Sequence, residues 1–309
     1  MNLVSIIIPT YKRSNRLPIA INSVLNQTYP NIEIIVVDDN GDNQYSAETK
    51  KTLQPYLDNN QIIYIAHKTN QGGCEARNTG AFAAKGNFIA FLDDDDFYEP
   101  TKIEEQVNFI NNHKDLDACI CSMYRIDENN EQIKSRENIA RGVTLQEAIL
   151  DGNLFTSMLL IKKEVFIKLD GFSEIPRFQD KYFHYKFLEN NYKIGVLNKQ
   201  LLTLVEHSDI RISLAAHDKI IKALDTLHKV ELQHKKRFSH KEWRFIMHRL
   251  FYNKAYTVSQ GSFKNKMVGL GYIIKSLPYY TGNYNCFKLA LKTLTPNFIL
   301  KLNRKRNDT

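Results

Sequence analysis

Four cysteines, one tryptophan and thirteen glycines are few for 309 residues. Cys74, Cys119, Cys121 and Cys286 show no framework spacing, so no disulfide scaffold is expected. Cys119 and Cys121 stand two apart with no second ligand pair after them, which suits one face of a strand better than half a zinc site. Reduced thiols in a cytoplasmic protein are the expectation. Met1-Asn2-Leu3-Val4-Ser5 enters a strand-like segment without a basic leader, so no secretory signal is read. No apolar run reaches the length that crosses a bilayer. No glycine-rich turn follows the first strand, where Pro9-Thr10-Tyr11 stands instead. That disfavours a dinucleotide oxidoreductase and a sugar nucleotidyltransferase. Internal repeats and low-complexity tracts are absent. Acidic residues thin out late in the chain: Ile210 to Thr309 holds 20 Lys and Arg against 5 Asp and Glu, and the rest holds 22 against 29. An acidic front and a basic tail suggest two different tasks.

What is present is a hydrophobic fraction of 43%, enough for a sizeable core. Leu3 to Pro9, Ile32 to Val37, Ile62 to Ala66 and Asn87 to Leu92 are short, β-branched and apolar, and predict buried strands. Helical spacing predicts helices from an N-cap at Ser14 to Asn26, over Ser46 to Leu57, Cys74 to Ala84 and Lys102 to Asn112. The alternation implies an α/β sheet with helices on both faces. In such folds ligands gather beyond the carboxyl ends of the strands, where the loops at Thr10, Asp38, His67 and Asp93 would meet. Further on, Leu116 to Met123 and Ser157 to Ile161 are strand-like. A hairpin is expected over Arg125 to Lys134, and helices over Thr144 to Leu150, Lys163 to Leu169 and Gln179 to Asn190. Lys193 to Leu197 and Leu201 to Val205 read as two short strands. From Ser213 nearly everything has helical period: Leu214 to Lys236, His240 to Ser259, Ser262 to Ser276 and Tyr284 to Leu294. The expected division is therefore 1–212 for the α/β part and 213–309 for a basic helical region.

The chain is organised around Phe91-Leu92-Asp93-Asp94-Asp95-Asp96. Four adjacent carboxylates repel, and their burial is costly. On residues alone the run is either a solvated acidic turn before Pro100 or a cation site at a strand end. In the second case strand alternation would bring Asp93 and Asp95 together and turn Asp94 away. Hard oxygen ligands would suit Mg²⁺ or Mn²⁺.

Ser5-Ile-Ile-Ile-Pro-Thr-Tyr11, Ile34-Ile-Val-Val-Asp-Asp39, Asn70-x-Gly72 with Ala76-Arg77-Asn78-x-Gly80, and Phe91-Leu-Asp-Asp-Asp-Asp96 occur in order. Together they resemble the family 2 glycosyltransferases over residues 3 to 100, and more loosely to His207. The resemblance implies a GT-A fold and a nucleotide-sugar donor, with Pro9, Thr10, Tyr11, Arg13, Asp39, Arg77, Asp93 and Asp94 around it. Thr10 and Asp39 match positions that contact the base. A carboxylate facing an imide N–H suits uracil or thymine and disfavours cytosine. Asp95 would hold Mn²⁺ or Mg²⁺ on the diphosphate, with His207 completing the metal site. The family often carries Glu-Asp after a Gly-Phe loop; here Gly171-Phe172 leads to Gln179-Asp180, which makes Asp180 the candidate base and Gln179 a departure. Arg211 and Ser213 are further candidates to meet phosphate.

Lys235-Lys236-Arg237, Lys264-Asn265-Lys266 and Arg304-Lys305-Arg306 alternate with aromatics such as Phe251, Tyr256, Tyr272 and Tyr280. They suit a helical bundle with a charged face or an anionic membrane surface, and not nucleic acid. The resulting expectation is an inverting, metal-dependent glycosyltransferase, cytoplasmic and peripheral at the inner face of the membrane. It would use a UDP-sugar and a saccharide acceptor on a polyprenyl-diphosphate carrier in surface polysaccharide synthesis. The alternative from another class is a non-catalytic saccharide- or lipid-binding protein on the same fold.

Overall fold

The computed structural model describes residues 1–207, 217–259, 263–280, 282 and 288–290. Two compact units are present, Met1–Glu174 with Phe178–Arg211, and Ile175–Arg177 with Ile212–Thr309.

In the first unit β1 (Val4–Thr10), α1 (Leu17–Leu25), β2 (Ile32–Asp38), α2 (Gln44–Asp58), β3 (Ile63–Ala66), α3 (Gly73–Ala83) and β4 (Phe88–Phe91) alternate. Then come β5 (Phe97–Tyr98), α4 (Lys102–Asn112), β6 (Ala118–Ile126), α5 (Leu145–Asp151), β7 (Leu159–Lys162), α6 (Lys163–Lys168), α7 (Gln179–Glu189) and β8 (Ile194–Val205). One sheet runs β3-β2-β1-β4-β7-β6-β8-β5. β1 to β4 pair in parallel, in a register that sets Ile6 between Ile34 and Ala90. Strands covered on both faces need apolar residues throughout, and Ile6, Ile7, Ile8, Ile35, Val36 and Val37 are all fully buried. Because these four strands run the same way, the loops after Thr10, Asp38, Ala66 and Phe91 emerge on one edge, as expected.

β7 departs from the simple α/β pattern by pairing antiparallel to both β4 and β6. The stretch read as two short strands is the single strand β8. It follows β6 through register shifts at Cys121, Ser122 and Tyr124, which bend the pair without ending it. Helix α1 starts at Leu17 with Arg16 at its N-cap, not Ser14; Pro18 in the first turn fixes that start. Asn43 caps α2 with its side chain, and the helix begins at Gln44, two residues ahead of the predicted start at Ser46. Thr144 caps α5 in a reciprocal box with Glu147, as its sequence implied. Cys119 and Cys121 lie buried in β6, and the three described cysteines are free thiols.

Under the acidic run, Phe91, Phe166, Phe172 and Phe183 stack with centroids 4.9 to 5.4 Å apart. This ties the end of β4 to the Gly171-Phe172 loop and to α7.

The second unit contains α8 (His217–Gln233), α9 (His240–Ser259) and α10 (Phe263–Ser276). Arg249 donates to Glu231 at 2.9 Å, and Lys254 pairs with Asp225. Tyr252 and Tyr272 pack on Ala255, Ile273 and Leu289, so part of the aromatic set is core. Most of the helix expected over Tyr284 to Leu294 lies outside the described residues, as does Arg304-Lys305-Arg306. No described helix is long and apolar enough to cross a membrane.

Gly80 sets how closely α3 approaches the sheet. A Cβ there would lie 2.6 Å from Ile7 and 3.0 Å from Val37, both fully buried. Gly80→Ala is expected to cost about 1–3 kcal/mol by overpacking. The urea midpoint should fall with an unchanged slope, and an unaltered midpoint would contradict this packing.

Candidate active site

The acidic run is not part of a strand. β4 ends at Phe91, and the Asp96 N–H donates to the Asp93 carbonyl at 3.1 Å, closing a turn. Strand alternation therefore does not apply, and the expected pairing of Asp93 with Asp95 gives way to another. Arg13 gathers Asp94 (2.8 Å) and Asp95, while Asp93 turns to Arg77. Thr10 donates to Asp94 at 2.7 Å, and the Val205 N–H donates to Asp96 at 3.2 Å. Asp94 is 1% exposed, whereas Asp93 keeps 37% and faces the open side.

Burial dominates the electrostatics. It pushes Asp94 up to about 7 against the opposing pull of Arg13, and it raises Asp95 and drives Asp96 well above the carboxylate range. Carboxylates so disposed gain from any added cation.

Arg77 is a buried residue of α3. It donates to the Gly73 carbonyl at 3.0 Å, contacts Asp93, and lies close enough to Asp180 for their charges to interact. Asp180 is the second residue of α7, behind Phe178 at the N-cap in a left-handed conformation. Its carboxylate accepts from the Lys181 N–H at 2.7 Å. Burial raises its pKa, opposed by that hydrogen bond and by Arg77, with Asp93 adding to the rise. Asp93, Arg77 and Asp180 thus form one electrostatic group.

Asn78 is a participant whose role the sequence reading left open. Its amide donates to the Phe172 carbonyl at 2.9 Å and accepts from the Phe172 N–H at 2.8 Å. Gly171 beside it has φ +57, and a Cβ there would meet Asn78 at 2.4 Å. The Ala76-Arg77-Asn78-x-Gly80 motif therefore places Arg77 in the site, clamps the loop before Asp180 and seats the helix.

Asp39 lies 3% exposed with every acceptor position filled. Its carboxylate takes the Gln71 N–H (2.7 Å), the Gly72 N–H (2.8 Å) and the Asn70 amide (2.9 Å), and pairs with His67 Nδ1 (2.8 Å). The other ring nitrogen of His67 meets Thr79 Oγ1 at 3.0 Å. Asp39 thus fixes the His67–Gly72 loop, and a nucleobase N–H would have to replace one of these donors. Pro9 and Tyr11 border Thr10 on the same edge, with Lys12 stacked 5.0 Å from the rings of Tyr11 and Tyr45.

His207 closes the site from the end of β8. Its Nε2 is buried without a hydrogen-bond partner, its Nδ1 is 3.9 Å from Glu128, and the ring is near enough to Asp95 to oppose the rise of that carboxylate's pKa. An orphaned imidazole nitrogen near a carboxylate of raised pKa fits a divalent cation. No group of three or more candidate ligands is already drawn together among the described residues. Ser208, Arg211 and Ser213 lie outside them.

The model of glycosyl transferase family 2 matches residues 5–173. The chain belongs to glycosyl transferase family 2. At 29% identity it matches an uncharacterized glycosyltransferase of Methanocaldococcus jannaschii over 65% of this chain and 69% of that protein. At 36% identity it matches one of Rickettsia felis over 60% of this chain and 31% of that protein. Across eight curated relatives the match spans from 26% to 69% of their own lengths. S. aureus TarS 1-349 in complex with UDP-GlcNAc superposes with a TM-score of 0.63 at 18% identity, covering 90% of this chain and 89% of that 1-349 chain, and the longer S. aureus TarS chain is covered to 54%. The fold is therefore GT-A followed by a helical C-terminal region, and the chain is a glycosyltransferase.

If Asp39 holds its loop as described, Asp39→Asn keeps one acceptor oxygen but strands the donors that face the other, because an NH2 group cannot accept them. The expected cost is about 1–3 kcal/mol per stranded donor. The nucleotide-free melting temperature should fall. An unchanged value would make Asp39 a ligand contact alone.

Proposed function

We propose that the enzyme transfers a hexosyl or hexosaminyl group from a UDP-sugar to a saccharide hydroxyl, with inversion at the anomeric carbon. The observation that carries this is the grouping of Asp93, Arg77 and Asp180 at the sheet edge: Arg77 pairs with a donor-side carboxylate, and its charge also reaches the candidate base. The ligands of TarS, UDP-GlcNAc and UDP, support the choice of donor.

In this reading Thr10, Tyr11, Pro9 and the loop fixed by Asp39 receive the base. Arg13 and Arg77 address the diphosphate and sugar, and Asp93 and Asp94 line the ribose side. Asp95 and His207 would hold Mn²⁺ or Mg²⁺. When bound, that cation would act as a Lewis acid on the diphosphate oxygens. Asp180 accepts the proton of the acceptor hydroxyl as its oxygen bonds to the anomeric carbon; the carbon–oxygen bond to the diphosphate breaks on the opposite face, and UDP departs with the electron pair. A partly buried carboxylate of raised pKa is a stronger base than an exposed one, and the neighbouring Arg77 opposes that rise.

The acceptor is proposed to be a saccharide on a polyprenyl-diphosphate carrier, in surface polysaccharide synthesis. The basic helical region, residues 213–309, would rest on the anionic inner face of the membrane. Its charge supports this, as do Met267, Val268, Ile274 and Leu277, which are exposed on and just beyond α10.

The test is transfer from a panel of UDP-sugars, with the product anomer read by NMR. Asp180→Asn should lower kcat by about 10²–10⁴-fold at unchanged UDP affinity. Wild-type kcat/KM should rise with pH through an apparent pKa above the usual carboxylate range, because the base works only when deprotonated. Full turnover in the Asn variant, or a retained anomer, would overturn the reading.

A further inference from the structure

Arg13 occupies a position that a metal would need. One Nη contacts Asp95, and the other lies 2.8 Å from Asp94. Asp94 is already held by Thr10 and nearly sealed from solvent, whereas Asp95 stands nearer the mouth. The Arg13 side chain keeps 32% of its surface exposed against 1% for Asp94 and 16% for Asp95, so it is the most accessible of the three. Its Nε is buried without a hydrogen-bond partner, so the side chain is held through its two terminal nitrogens. Arg16 adds a second positive charge 4.0 Å from Asp95. A guanidinium and a divalent cation cannot share one carboxylate oxygen, because like charges repel strongly at contact distance.

We propose that Arg13 is a resident counter-ion that keeps Asp95 closed to divalent cations until a nucleoside diphosphate draws the guanidinium onto its phosphate oxygens. This rests on the donor-site reading above. A planar guanidinium matches phosphate as well as carboxylate, so the exchange replaces one anionic partner with another. Two consequences follow. The unloaded protein keeps its acidic run neutralised without a metal. Cation and nucleotide bind with positive coupling, and by linkage each raises the affinity of the other by the same factor.

The experiment titrates Mn²⁺ by electron paramagnetic resonance, with and without UDP, on the wild type, Arg13→Gln and Arg13→Lys. Without UDP, Arg13→Gln should bind Mn²⁺ at least about tenfold more tightly than wild type, since a positive charge has left the site. Arg13→Lys keeps the charge and should follow wild type. UDP should strengthen Mn²⁺ binding by roughly 5- to 150-fold in wild type and much less in Arg13→Gln. Arg13→Met, which keeps the stem and removes the charge, gives the same comparison if the Gln variant does not fold. Equal UDP-free Mn²⁺ affinity in wild type and the neutral variants, with UDP still promoting binding, overturns the counter-ion role and leaves the donor site standing. Absence of UDP-promoted Mn²⁺ binding in every protein overturns the donor-site reading itself, and the counter-ion with it.

Discussion

Four adjacent carboxylates at the end of a buried strand cannot all ionise without compensation, and the site is built around that constraint. Asp93 is answered by Arg77, Asp94 by Thr10 and Arg13, Asp95 by Arg13, and Asp96 by the Val205 backbone. Each partner comes from a different part of the chain: the loop after β1, helix α3 and the end of β8. Charge compensation therefore fixes where those elements meet. The aromatic stack beneath, from Phe91 through Phe172 to Phe183, supplies the apolar side of the same junction. Together they hold α7, and with it Asp180, against the edge that carries the acidic run.

Smaller joints maintain the spacing. Gly80 lets α3 lie close on β1 and β2, and Arg77 is thereby delivered to Asp93. Asn78, one residue on, grips the Phe172 backbone by both ends of its amide. Asp39 spends its carboxylate on the loop that follows β3. On the proposed function, loops tied down in this way leave the donor pocket less to order on binding, which lowers the entropy cost.

The parallel strands and most helices were legible from their apolar periods, helped at Thr144 by a capping box. The four motifs located the edge where the loops converge. The paths of the side chains were not legible. Periodicity predicted that Asp93 and Asp95 would converge, but the strand stops at Phe91 and a turn redirects them. Ser14 has the chemistry of a cap, yet Pro18 decides where α1 begins. β8 reads as two strands because Asn198-Lys199-Gln200 is polar, whereas pairing with β6 carries it through. Asn78 was visible as part of a motif, but its hydrogen bonds span 94 residues and no local pattern encodes them. His67 carried no signal, since its partners Asp39 and Thr79 are distant in sequence.

On the proposed function, the acidic edge receives a nucleoside diphosphate together with a divalent cation. Calorimetric titration of UDP, dTDP, GDP and CDP, with and without Mn²⁺, on the wild type and Asp95→Ala tests it most directly. Metal-dependent binding that favours UDP and is lost in Asp95→Ala is the predicted result. Binding that is indifferent to metal and to Asp95, or no binding at all, would contradict the account and place a saccharide- or lipid-binding role ahead.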